Sequence, residues 1–223
     1  METFDRHVLF LLIVLPLIGA GVLLFVPAQR PGIVRWVSTI LSFVVMLLSF
    51  YVFGLYDHDA GGYQFLRAWQ WLEIPGPWPF GEKGITLSLG VDGISAMMVL
   101  LTGIVMFTGT LISWSIRDRN KDFFILYFLL LSGVFGVFVS LDLFFLFFFY
   151  ELAVLPMYPL IGVWGSSSTF KTFIRTKEYG AMKLMLFLVA GSVLIWIALL
   201  AIFVEANAGT FSLQVLELSL IHI

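Results

Sequence analysis

Long apolar runs broken by short polar stretches dominate the chain. Six runs are free or nearly free of charge: residues 8–26, 36–56, 93–116, 123–141, 143–164 and 184–204. Each is long enough for a helix to cross a bilayer, which takes about 20 residues. Residues 123–164 would be too long for one crossing, and Ser140-Leu141-Asp142 supplies the polar break, ending in a residue type that starts helices. A tight hairpin is expected there. The one long connection, residues 57–92, has a different period. Ile85-Thr86-Leu87-Ser88-Leu89 alternates apolar and polar, Tyr63, Phe65, Trp69 and Trp71 recur at period two, and Pro75-Gly76-Pro77 and Pro79 are turn formers. This reads as a short β-hairpin outside the membrane, with an aromatic-rich interfacial loop as the alternative. Phe170, Phe173 and Ile174, set among Lys171, Arg175 and Lys177, have helical spacing and predict a short interfacial helix before the last run. The expected fold class is therefore an all-α integral membrane protein with about six transmembrane helices.

Composition agrees with that pattern and narrows the chemistry. Hydrophobic residues make up 61% and charged residues 12% of the chain, with a mean hydropathy of +1.04, whereas soluble domains carry about 25% charge. A net charge of −2 offers no basic surface for nucleic acid. The absence of cysteine excludes disulfides, thiol chemistry and Cys-ligated clusters. His7, His58 and His222 all lie outside the apolar runs, so no haem-ligating pair faces a membrane core. Alternate loops hold Arg30 and Arg35, then Arg117, Arg119 and Lys121, then Lys171, Arg175 and Lys177, which is eight of the twelve basic residues. By the positive-inside rule those loops face the cytoplasm and the amino terminus lies outside. The first run lacks a small-residue cleavage site and is expected to be retained as a span.

One carboxylate stands out. Glu151 is the only charge in residues 143–164, and eight residues from the start of that run it lies about 12 Å in, near mid-membrane. An ionised side chain there costs a few kcal/mol at least, so such groups usually face a partner, water or a proton path. Pro156 and Pro159 follow within two turns and cannot donate to the carbonyls of Leu152 and Leu155, which frees backbone for water. Glu151 reads as a hydrated, protonatable site, and the alternative is a neutral acid used for packing. Lys183, at the cytoplasmic start of the sixth run, is the other charge near hydrocarbon and can snorkel to the interface. Asp92 and Asp142 each precede a span and read as helix caps.

At these residues the chain resembles a known family. FFFYELAVLPMYPLIGVWG (residues 147–165) resembles the fifth-helix signature of the antiporter-like membrane subunits of respiratory complex I, specifically chain M, or subunit 4. GVDGIS (90–95), RDRNKDFF (117–124) and EYGAMKLMLFLVAGS (178–192) look like the same subunit, and the proline-methionine step after the glutamate is absent from its sister subunits. The resemblance implies a proton-translocating membrane-arm subunit of NADH:quinone oxidoreductase, multi-pass in the bacterial inner membrane. Its partners would be other membrane-arm subunits, lipid and protons. Glu151 would be the fifth-helix glutamate and Lys183 a lysine near the start of the sixth, with no cofactor in this chain: no NADH, quinone, flavin or iron–sulfur cluster. The alternatives are a subunit of a multisubunit Na+/H+ antiporter and the membrane arm of a hydrogenase. Family members have about fourteen helices, and their lysines and histidine on the seventh, eighth and twelfth have no counterpart here. The expected division is residues 1–217 as the part holding helices 1 to 6. The last six residues, Leu218 to Ile223, match the translation of a sequencing-adapter end and are expected to be foreign.

Overall fold

The computed structural model describes residues 5, 7–73, 84–169, 174–206 and 209–220. The helices are α1 (Val8–Phe25), α2 (Pro31–Leu55), α3 (Gly93–Ile112), α4 (Asn120–Val139), α5 (Leu143–Val154), α6 (Met157–Trp164), α7 (Lys177–Ala206) and α8 (Leu213–Leu220). Six segments, with α5 and α6 together forming one, are long and apolar enough to span a membrane. They coincide with the six apolar runs. Three begin earlier than hydropathy indicates, α2 at Pro31, α4 at Asn120 and α7 at Lys177, because charged Arg35, Lys121, Asp122, Glu178 and Lys183 end an apolar run without ending a helix. Proline in the first turn favours the early start of α2, since its missing N–H would have no helical acceptor there. The third helix stops at Ile112 and passes into a 3₁₀ turn, Ser113–Ser115.

Helix pairs approach through small residues. On α2, Ser38, Ser42, Val45, Ser49 and Val52 are buried at alternating spacings of four and three, forming one stripe, and Gly103 of α3 lies against Ser49. The serine hydroxyls donate to the helix's own carbonyls, Ser38 to Val34 at 2.8 Å and Ser49 to Val45 at 3.0 Å, so burial leaves them satisfied. On α4, Gly133 and Gly136 lie beneath Phe149 and Ala153 of α5; a Cβ at Gly133 would stand 2.8 Å from the Phe149 carbonyl oxygen. Ser132 Oγ donates to the Ile13 carbonyl of α1 at 2.7 Å. Lipid tails compete for apolar surface, so close backbone approach and interhelical hydrogen bonds hold such bundles.

At one end of the bundle basic side chains cover helix termini. Lys121 Nζ donates to the Leu24 carbonyl (2.8 Å), Lys177 Nζ to Val163 (2.6 Å) and Arg35 Nη2 to Ile116 (3.1 Å), each a terminal carbonyl without a helical donor. The alternate loops that carry the basic residues thus share one end. Most of the interfacial helix expected there, Phe170 to Phe173, lies outside the described residues; Ile174–Arg175, at its end, pairs antiparallel with Ser168–Thr169 as strand.

At the opposite end the expected β-hairpin is present. Strand β1 (Gln64–Leu72) pairs antiparallel with β2 (Ile85–Val91), with Trp69 opposite Leu87 and Arg67 opposite Leu89. Its proline-rich turn, 75–79, lies outside the described residues. The α4–α5 link adds to the hairpin: Leu141 N donates to Ser88 O at 2.8 Å, and Leu89 and Ser140 form a bridge. On its other side Leu143 N donates to Phe211 O and Leu213 N to Leu141 O, both at 2.9 Å. The short break 140–142 is therefore a rib between the hairpin and the segment that leads into α8.

Candidate functional site

The site begins with a cap. Asp142 precedes α5 in extended conformation; its Oδ1 accepts from Phe144 N (2.9 Å) and Phe145 N (3.2 Å), as the capping role requires. Its Oδ2 accepts a longer bond from Thr86 N of β2 (3.4 Å), a link to the hairpin that sequence gave no sign of. The residue is fully buried, and burial pushes its carboxyl up to about 6 despite those three donors. Asp92 is a more exposed version: its side chain and Ser95 form a capping box on α3, and the Ser95 N–H holds its carboxyl below the usual range.

From that cap α5 runs to Val154, and the helix breaks at Leu155–Pro156 before α6 resumes at Met157, where the proline cannot donate. Both residues keep right-handed helical dihedrals. Glu151 lies one turn before the break. Its Oε1 is buried and has no hydrogen-bond partner, which is costly for a polar atom in this setting. Phe144 and Phe147 pack on Trp196 of α7, with ring centroids 5.9 and 5.0 Å away. Glu151 stands seven and four residues after them and so shares the face of α5 that meets α7.

Lys183 is placed elsewhere. On α7 the buried positions Ala181, Ser192, Leu199 and Ala206 recur at eleven and seven residues, one stripe toward α5 and α6. Lys183 is two residues past Ala181, about 200° around the helix, on the opposite face. Its Nζ lies 6.0 Å from the Phe187 ring centroid, in an open depression lined by Thr176, Tyr179, Gly180 and Leu184. The structure does not bring Glu151 and Lys183 together. Arg119–Asp122, at 2.8 Å, is the ion pair found among the described residues, and no group of three metal-ligating side chains occurs among them.

No family model matches the chain. Curated relatives do. Over 208 residues it is 32% identical to "NAD(P)H-quinone oxidoreductase chain 4, chloroplastic" of Chara vulgaris, an alignment covering 92% of this chain and 39% of that protein. It is 34% identical over 204 residues to "NADH-quinone oxidoreductase subunit M" of Pseudomonas aeruginosa, covering 88% and 38%. The chain thus spans about two-fifths of the length of these relatives. Among solved structures, a chain of respiratory complex I from Thermus thermophilus with bound NADH superposes with TM-score 0.71 at 22% identity, covering 93% of this chain and 38% of that one. A chain of a membrane-bound sulfane sulfur reductase, an archaeal respiratory membrane complex, gives 0.70 at 20%, covering 94% and 39%. The structural likenesses establish the fold. The sequence likenesses bear out the resemblance to chain 4, or subunit M, read from residues 147–165 and its companion motifs.

Proposed function

We propose that this relative of the chain 4 and subunit M proteins of NADH-quinone oxidoreductases carries part of a proton path through the membrane arm of that complex, with Glu151 as its titratable group. The observation that supports this most is a carboxylate with a buried, unpartnered oxygen, far from both ends of a span and one turn before a proline break. Proton transfer through hydrocarbon needs a group that can hold and release a proton where water is scarce. An approaching cation favours the carboxylate form of such a group, and movement of that cation switches the proton on and off. Quinone reduction elsewhere in the complex would shift charge along such a chain of acids and lysines. Lys183, on the outward face of α7, serves as the nearby cation only if it meets a neighbouring helix or subunit on that side.

In this reading the chain sits multi-pass in a bacterial inner membrane, contacts other membrane-arm subunits and lipid, and holds no redox centre. The two fold likenesses include a sulfane sulfur reductase as well as complex I, so the fold does not select the electron acceptor; the sequence relatives favour quinone. The test uses the full-length parent assembled in its complex. Glu151→Gln keeps shape and hydrogen bonding and removes titration; proton uptake by inverted vesicles is expected to fall by more than tenfold, with the quinone-independent NADH dehydrogenase activity unchanged. Glu151→Asp is expected to retain part of the uptake. Uptake at the parental rate in the Gln variant would make Glu151 a packing residue.

A further inference from the structure

The register between α5 and α7 sets a definite position on α7 opposite Glu151, whose Oε1 is buried without a hydrogen-bond partner. The two spans run antiparallel: at one end Lys177 Nζ reaches the Val163 carbonyl, and at the other Phe144 packs on Phe211 (6.3 Å), beyond the end of α7. Two contacts within the pair fix its register. Phe147 stacks on Trp196 at 5.0 Å, and a Cβ at Gly162 would lie 3.9 Å from Ala181 Cβ. In an antiparallel pair each step forward on one helix matches a step back on the other. Four residues after Phe147 is Glu151, and four before Trp196 is Ser192. Eleven residues before Gly162 is again Glu151, and eleven after Ala181 is again Ser192. Four residues are about one turn and eleven about three, so both counts also keep the facing side. Two independent contacts, one on each side of the proline break, converge on the same pair.

Ser192 is suited to it. It is only 6% exposed and is the one hydroxyl residue in the apolar run 184–204, and its hydroxyl donates to its own helix, to the Val189 carbonyl at 3.0 Å, which leaves the oxygen's lone pairs free. A hydroxyl can accept from a protonated carboxyl group and, after rotating about its C–O bond, donate to an ionised one. It is therefore able to hold Glu151 in one orientation in both proton states, which a lysine ammonium, with donors only, cannot do.

We propose that Ser192 is the hydrogen-bonding partner of Glu151 across the α5–α7 interface and positions its carboxyl group. The proposal deepens the proton-path reading and rests on it for its functional consequence, but the pairing itself can be tested without transport. Infrared difference spectra of this chain in lipid, recorded across a pH titration, report the carboxyl C=O band, and Glu151→Gln identifies the band that belongs to Glu151. Ser192→Ala is expected to move that band to higher wavenumber, as for a carboxyl group that has lost a hydrogen bond, and Ser192→Thr to restore it. In the full-length parent in its complex, Ser192→Ala is expected to slow proton uptake roughly tenfold, the loss of one hydrogen bond to a charged group, and Ser192→Thr to recover most of it. A Glu151 band that is identical in the Ala and parent chains overturns the pairing. A shifted band together with parental uptake in Glu151→Gln keeps the pairing and removes the proton path.

Discussion

Asp142 carries more than one residue's share of connections: it caps α5 and, through Thr86, ties that helix to the hairpin. Its carboxyl, raised from 3.8 to about 6 by burial, gives the linkage a definite sign. Between about pH 4 and pH 6 the folded chain binds a proton that the unfolded chain releases, so the stability contribution is full below pH 4 and is lost as pH rises through 6. The difference is at most about 3 kcal/mol. Asp142→Asn keeps an oxygen for the cap and cannot titrate, so thermal unfolding in detergent should show a weaker pH dependence over that window than the parent; an unchanged dependence would place the titration elsewhere. The two candidate charges also separate at this scale. Glu151 has a buried orphan oxygen, whereas Lys183 is exposed on the outer face of α7 and can reach water along its flexible stem. In the full-length parent, Lys183→Ala is accordingly expected to lower proton uptake less than Glu151→Gln does, and the reverse order would make the lysine the principal group.

Among the elements, the α4–α5 contact depends on absent side chains. Gly133 brings α4 close enough that Cβ would touch the Phe149 carbonyl and the Ala153 backbone, and backbone cannot move aside as a side-chain tip can. Gly133→Leu should therefore force the helices apart and lower the yield of folded chain in detergent, with a cost of about 1–3 kcal/mol as for other overpacked sites. Glycine 21 has open space around it, so Gly21→Leu is the control expected to be tolerated. The element pattern was largely legible in the sequence because membrane helices need unbroken apolar runs and strands outside need alternation; Gln64–Leu72 and Ile85–Val91 formed where period two was seen. Asp92 and Asp142 were legible as caps for the same local reason. The pairing of Ile174–Arg175 with Ser168–Thr169 was not, because neither dipeptide carries a period-two pattern long enough to mark a strand. Ser192 was also missed. Its neighbours in sequence are apolar, and only the register between α5 and α7 marks it, a long-range fact that no local period contains.

For the whole molecule the separation of charge becomes a geometric statement. Lys121, Arg35 and Lys177 stand near the starts of three different helices, yet each closes a carbonyl at the same end of the bundle, while the β1–β2 hairpin and the 140–142 rib close the other. Cations there serve twice: they satisfy terminal carbonyls, where the helix dipole is negative, and they are the residues that resist translocation. The second effect favours placing that end in the cytoplasm and the amino terminus, with the hairpin, outside. The chain has no cysteine, so single substitutions report without background. Asp59 and Asp118 are both exposed, beside the hairpin and in the basic loop respectively. In intact spheroplasts a membrane-impermeant maleimide is expected to label Asp59→Cys and to label Asp118→Cys only after lysis. Labelling of Asp118→Cys from outside would invert the topology and leave the basic end facing away from the cytoplasm, so that the carbonyl-capping role alone would account for where these cations lie.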